Sequence, residues 1–162
     1  MKISEHISNR EATHSNTAKR RGLSNRPGPV ALKNMEAVAE NIFEPLRKWV
    51  GGPIKINSFF RSKTVNAAVG GSTRSQHVKG EAIDIDDVYG YKTNAEMFWY
   101  IVENLEFDQI INEFPVKGNP SWVHVSYKRS GGNRKKILIA RRIGGRTTYK
   151  SVDTEAAKKY TY

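Results

Sequence analysis

Between Ser75 and Asp86 the chain reads SQHVKGEAIDID, which sets a histidine at 77, a glycine three residues on and an aspartate at 84. If GEAIDID is extended, Glu81, Ile83 and Ile85 face one way and Ala82, Asp84 and Asp86 the other. The isoleucines then enter a core while Asp84 points away from it. A second segment, WVHVSY, alternates in the same manner and sets Trp122, His124 and Ser126 on one face. Two histidines and one carboxylate, with a fourth position left to water, is the usual make-up of a catalytic rather than a structural zinc site. The chain has no cysteine, so disulfides are excluded and any metal must be held by His, Asp or Glu. On spacing alone, a hydrogen-bonded core histidine and an ion-paired strand aspartate are competing explanations of the same residues.

The surrounding elements must position these side chains. Met35, Val38, Ala39, Ile42, Phe43, Leu46 and Trp49 recur at three- and four-residue intervals, which predicts an amphipathic helix from Val30 to Trp49 stopped by Gly51 and Gly52. PIKINSFF alternates as a strand, with Ile54, Ile56 and Ser58 opposite Lys55, Asn57 and Phe59, and it leads to Arg61. A short helix over Lys63 to Val69 and the loop GGSTRS then deliver the chain to the histidine. Thr93 and Glu96 form a capping box for a helix that buries Met97, Phe98, Ile101, Val102 and Leu105 and ends near Asn104. FDQIINEF is a strand and VKGNPS a turn-rich insert. After WVHVSY, RSGGN predicts a hairpin turn from which KKILIARR returns as a strand. The tail holds a short helix near Asp153 to Lys159. Residues 1–28 are polar, with a short helix around Arg10 to Lys19, and His6 and His14 read as surface residues. The pattern predicts one α+β domain over residues 1–162, helices packed on a small antiparallel sheet, with a polar segment at 1–28 and a basic hairpin and tail at 128–162.

Net charge is +11, from 27 Lys and Arg against 16 Asp and Glu, and it is unevenly placed: Lys128 to Lys150 holds nine basic residues and no acidic one. Such a block suits a polyanion, whether nucleic acid, a wall polymer or a lipid surface, or it is simply a solvated basic face. Its only aromatic residue is Tyr149, which argues against nucleic acid, where stacking platforms are expected. The N-terminus MKISEHISNREATHS lacks the apolar core of a signal peptide, and no apolar run approaches a transmembrane length. The expectation is a chain made as a soluble cytoplasmic product.

SQHVKGEAIDI resembles the S-x-H-x-x-G-x-A-x-D signature of the zinc D-Ala-D-Ala carboxypeptidases and L-alanyl-D-glutamate endopeptidases. That family includes many bacteriophage endolysins and shares its fold with the hedgehog signalling domain. WVHVSY, SFFRS and FDQIINE resemble further family segments, so the likeness spans roughly Arg21 to Tyr127. It implies that His77, Asp84 and His124 bind one zinc ion, that Glu113 is the general base, that Arg61 steadies an oxyanion or a substrate carboxylate, and that Ser75 hydrogen-bonds substrate. Trp122, on the His124 face, would line the cleft, Gly80 would allow close backbone approach or an unusual dihedral, and Asp86 would orient a ligand. Many relatives place the catalytic acid three residues before the final histidine; here that position is Ser121, and an insert separates Glu113 from His124.

Zinc held by three protein ligands lowers the pKa of a bound water to about 7 and polarises a carbonyl, and a nearby carboxylate must move the proton to the leaving amine. The resemblance therefore implies hydrolysis of peptidoglycan stem peptides, by a D,D-carboxypeptidase or an L-Ala-D-Glu endopeptidase of the phage-lysin kind acting at the bacterial cell wall. The basic C-terminal region would attract an anionic wall or outer-membrane polymer. The alternative is a non-catalytic, zinc-containing binding module for a wall or protein partner.

Overall fold

The computed structural model describes residues 1–161. The chain opens with a small hairpin, β1 (Lys2–Ser4) and β2 (Ile7–Ser8), followed by α1 (Asn9–Ala12) and α2 (Asn16–Arg21). The polar N-terminal segment is thus more ordered than its composition suggests. The single helix expected over Arg10 to Lys19 is two, because Ser8 caps the first in a capping box with Glu11 and Ser15 caps the second. Ile3, Ile7 and Ala12 reach the main core. His6 is exposed, as expected, and its Nδ1 lies 2.7 Å from the Glu44 carboxylate, which also accepts from Ser4.

The long amphipathic segment forms α3 (Pro29–Val38), a π-helical turn (Ala39–Phe43) and α4 (Glu44–Val50). Pro45 accounts for the interruption. It has no N–H to offer the carbonyl of Asn41, and the ladder loosens so that the Glu44 N–H reaches back to Ala39. Gly51, with φ of 78°, ends α4 in the left-handed conformation.

Beyond these helices lie β3 (Lys55–Ser58), α5 (Lys63–Ala68), a 3₁₀ turn (Gln76–Lys79), β4 (Ala82–Asp86) and α6 (Asn94–Asn104), the last capped by Thr93 as expected. Then come β5 (Gln109–Glu113), β6 (Trp122–Ser126), β7 (Lys136–Ile143), β8 (Arg146–Val152) and α7 (Thr154–Thr161). Six strands form one sheet in the order β3-β4-β6-β5-β7-β8, antiparallel except for the parallel pair β5 and β7. Ile83, Ile85, Val123, Val125, Ile110 and Ile137 are buried in the same core as Met35, Ile42 and Leu46 of the helical segment and Met97, Phe98 and Ile101 of α6. The opposite face carries Asp84, His124, Ile111 and Leu138 in one registered row.

Two strand expectations change. At the end of β3 the register shifts between Ile56 and Ser58, so alternation fails and both Phe59 and Phe60 are buried. RSGGN does not make a hairpin between β6 and β7, because β6 already has β4 and β5 on its two edges. The chain instead crosses the end of β5, where the Lys135 and Lys136 N–H groups donate to Phe107 and Asp108, and enters the sheet alongside β5. The hairpin of the basic region is β7–β8, turned by Gly144 and Gly145 with φ of 57° and 77°.

Gly80 follows the 3₁₀ turn with φ of 74°, and a Cβ there would lie 2.6 Å from the Ala31 carbonyl oxygen and 2.8 Å from Met35 Cγ. Glycine is required both by the dihedral and by the approach of α3. Gly90 has a similar φ of 79° but open space around it. Gly90→Ala should therefore cost only the left-handed penalty of about 1–2 kcal/mol, whereas Gly80→Ala should cost clearly more, as read from urea unfolding midpoints.

Candidate metal centre

Antiparallel pairing of β4 with β6 sets Asp84 opposite His124, and the His124 Nδ1 lies 2.9 Å from Asp84 Oδ1. His77 comes from the 3₁₀ turn and is almost wholly buried, its Nε2 3.2 Å from Asp84 Oδ2. One ligand atom from each of the three residues falls within 4.8 Å of the others.

The local chemistry fits a cation. His77 Nδ1 lies 2.6 Å from the Phe59 carbonyl oxygen, which can only accept, so Nδ1 carries the hydrogen and donates. In the neutral imidazole Nε2 then presents a lone pair, and this buried atom has no hydrogen-bond partner. Asp84 Oδ2, a carboxylate oxygen and so another acceptor, lies 3.2 Å away. A metal ion bound by both atoms removes that conflict, and the Phe59 carbonyl plays the part of the outer partner that orients a ligating histidine. Burial alone would raise the Asp84 carboxyl, but its electrostatic interaction with His77 and hydrogen bonding from His124 outweigh it and hold Asp84 well below the usual carboxylate range. A dication held by the same atoms would act in the same direction.

The row lies on the floor of a cleft of about 590 Å³ whose lining includes Arg61, Ser75, His77, Asp84, Glu113, Trp122 and His124. The three ligand candidates and Glu113, Arg61, Ser75 and Trp122 are therefore brought together. Ser75 caps the 3₁₀ turn: its Oγ accepts from the His77 N–H and stands 3.5 Å from Arg61 Nη2. Arg61 is partly buried, its Nε has no partner, and burial lowers its pKa while the charge of Asp84 works in the opposite direction. Trp122 is half-buried with its ring 5.5 Å from that of Phe114.

The insert after β5 does not carry Glu113 away from His124. Residues 114–121 fold back on themselves, with Val116 bridging Asn119 and the Ser121 N–H donating to the Glu113 carbonyl, so Glu113 pairs directly with Trp122. Ser121 spends its hydroxyl on the Phe114 carbonyl. Glu113 is nearly buried, and burial followed by the charge of Asp84 pushes it up to about 7, despite the opposing pull of His124. Asp86 does not orient a ligand; it accepts from Asn94 at the start of α6, which also donates to the Pro120 carbonyl.

Other residues in and behind the cleft wall carried no direct sequence signal for the site. Asp108 is fully buried; burial alone would raise it, but hydrogen bonds from Arg134 and Gln76 hold it at about 2 and so brace the residue next to His77. Thr147 and Tyr149 reach the cleft from β8. The one available hint was Tyr149 as the sole aromatic residue of the basic block.

Metal analysis of purified protein should find one zinc per chain, and His77→Ala, Asp84→Ala or His124→Ala should each remove it. For Glu113, a pKa raised from 4.5 to about 7 on folding stabilises the protein fully below the unfolded value, and that stability is lost as pH rises through about 7. Metal-free Glu113→Gln should accordingly gain on the metal-free wild type between pH 4.5 and 8, by at most roughly 3 kcal/mol in urea unfolding.

No curated protein matches the chain. Residues 5–126 match the family model described as Peptidase M15. With the match spanning most of its length, the chain belongs to the peptidase M15 family and is a metallopeptidase of a zinc-dependent kind.

Proposed function

We propose that the protein hydrolyses peptide bonds of the peptidoglycan stem, as a D,D-carboxypeptidase or an L-Ala-D-Glu endopeptidase, and that it serves as a phage-type lysin acting at the bacterial cell wall. The observation that carries this is the meeting of the unpartnered His77 Nε2 with Asp84 and His124 on the floor of a cleft that also holds Glu113 and Arg61. His77, Asp84 and His124 would hold the zinc ion. When bound, zinc supplies the Lewis acidity that activates water and polarises the scissile carbonyl.

The remaining work falls to the chain. Glu113 takes the proton of the attacking water and returns it to the leaving amine, and a carboxyl held near neutrality by burial suits both halves of that transfer. Arg61 offers a guanidinium without a carboxylate partner within ion-pair distance among the described residues, and it meets the developing oxyanion or a substrate carboxylate. Ser75 orients Arg61 and the His77 turn, while Trp122 and Phe114 give the substrate an apolar wall.

Stem peptides are rich in carboxylates, and the cleft is rimmed by Arg74 and Arg134 in addition to Arg61. Arg142 of β7 pairs with cleft-lining Thr147 and extends this basic rim, while Arg146 and Lys150 stand exposed on the other face of the β7–β8 hairpin; both surfaces suit an anionic wall or outer-membrane polymer. No helix among the described residues is long and apolar enough to cross a membrane.

Digestion of purified peptidoglycan by zinc-loaded protein should release new amine termini, and mass spectrometry of the fragments should identify the bond. Glu113→Gln should retain zinc and lose activity by about 10²–10⁴-fold. A wild type that releases nothing, or a Glu113→Gln variant as active as wild type, would refute the assignment.

A further inference from the structure

Strands β7 and β8 lie beyond the residues that match the family, yet they build one wall of the cleft. The register carries a row of residues across three strands: Glu113 on β5 pairs with Ala140 on β7, and Ala140 with Tyr149 on β8. Side chains paired in this way project from the same face of a sheet, and here that face is the cleft. Ala140 offers only a methyl group between the other two. At two strand spacings, roughly 10 Å between backbones, a tyrosine can therefore lean over Ala140 toward the glutamate.

Charge supports the same placement. Burial and then the charges of Glu113 and Asp84 raise the Tyr149 phenol, while Arg61 opposes them, so the group stays a protonated donor at working pH. Arg61, which follows β3 at the far edge of the sheet, in turn senses Tyr149. The two edges thus face each other across the metal-ligand row. The side chain is open to a ligand: Tyr149 is 57% exposed, and its hydroxyl has no hydrogen bond among the described residues.

We propose that Tyr149 is a substrate-binding residue of this peptidase, whose hydroxyl donates a hydrogen bond to a carbonyl or carboxylate oxygen of the peptide lying between Arg61 and Glu113. The C-terminal hairpin is then part of the substrate site as well as a basic surface. The inference rests on the stem-peptide function proposed above.

Steady-state kinetics on a soluble stem pentapeptide, L-Ala-γ-D-Glu-L-Lys-D-Ala-D-Ala, test it with zinc-loaded wild type, Tyr149→Phe, Tyr149→Ala and Glu113→Gln. Tyr149→Phe keeps the ring and should lower kcat/KM by up to about tenfold, mainly through KM, with zinc content and melting temperature unchanged. Tyr149→Ala should lose more, since it removes ring contact as well. Wild-type kcat/KM in Tyr149→Phe overturns the proposal while leaving the function intact, provided Glu113→Gln is inactive. A loss that follows a lowered melting temperature or zinc content also overturns it, because the role would then be structural. If wild type and Glu113→Gln are equally inactive, the proposed function fails and the inference falls with it.

Discussion

Everything in the site depends on the register of β4 against β6. Asp84 faces His124 only because Ile83 and Ile85 on one strand and Val123 and Val125 on the other are buried on the helical side of the sheet. Side chains alternate with period two, so a slip of β4 by one residue would drive the Asp84 carboxylate into aliphatic packing and turn Ile83 and Ile85 toward the cleft. Burying an unpaired carboxylate costs several kcal/mol, and exposing each aliphatic side chain forfeits about 1.5–3 kcal/mol more. The hydrophobic residues, which do no chemistry, therefore fix the geometry of those that do.

The third ligand, His77, lies outside this pairing and needs its own restraints. The Phe59 carbonyl sets the tautomer of His77, Ser75 caps the turn, and Gly80 lets that turn lie against α3. Gln76 ties it further to buried Asp108, which Arg134 grips through two guanidinium hydrogen bonds and one from its backbone N–H. Since Arg134 belongs to the crossing that leads into β7, the C-terminal region supports the metal centre as well as walling the cleft.

What was legible in the sequence was whatever repeats locally. The alternation in AIDID and WVHVS, the helical spacing before Gly51 and the capping box at Thr93 each lie within a few residues, and each element stands where its pattern puts it. The resemblance supplied what alternation alone left open, the convergence of His77 with Asp84 and His124. Pairing partners were not legible. RSGGN looks like a hairpin turn, but whether β7 can pair with β6 depends on which edges β4 and β5 have already taken, a fact of the assembled sheet. β8 is almost wholly exposed, so no apolar alternation marks it. The contact between His6 and Glu44 joins residues 38 apart, beyond the reach of any spacing rule. Pro45 was in plain view, and its effect on the helix follows directly from its missing N–H.

The proton-transfer residue shows how sequence distance misleads. Counted along the chain, Glu113 and His124 are separated by an insert, and Ser121 stands where many relatives carry an acid. In the folded protein the insert closes on itself, and Glu113 stands opposite Trp122, two residues from His124 on the same face of the sheet. Two carboxylates then share one cleft under opposite constraints. Asp84 lies between two imidazoles and stays ionised, as a ligand must, whereas Glu113 lies under aromatic and aliphatic cover with Asp84's charge nearby and holds its proton to near neutrality. Divergent environments of this kind assign a permanent anion and a proton carrier to chemically similar side chains. In this fold the difference arises from position in the sheet: Asp84 is flanked by histidines, and Glu113 stands at the end of its strand beside Trp122 and Ala140.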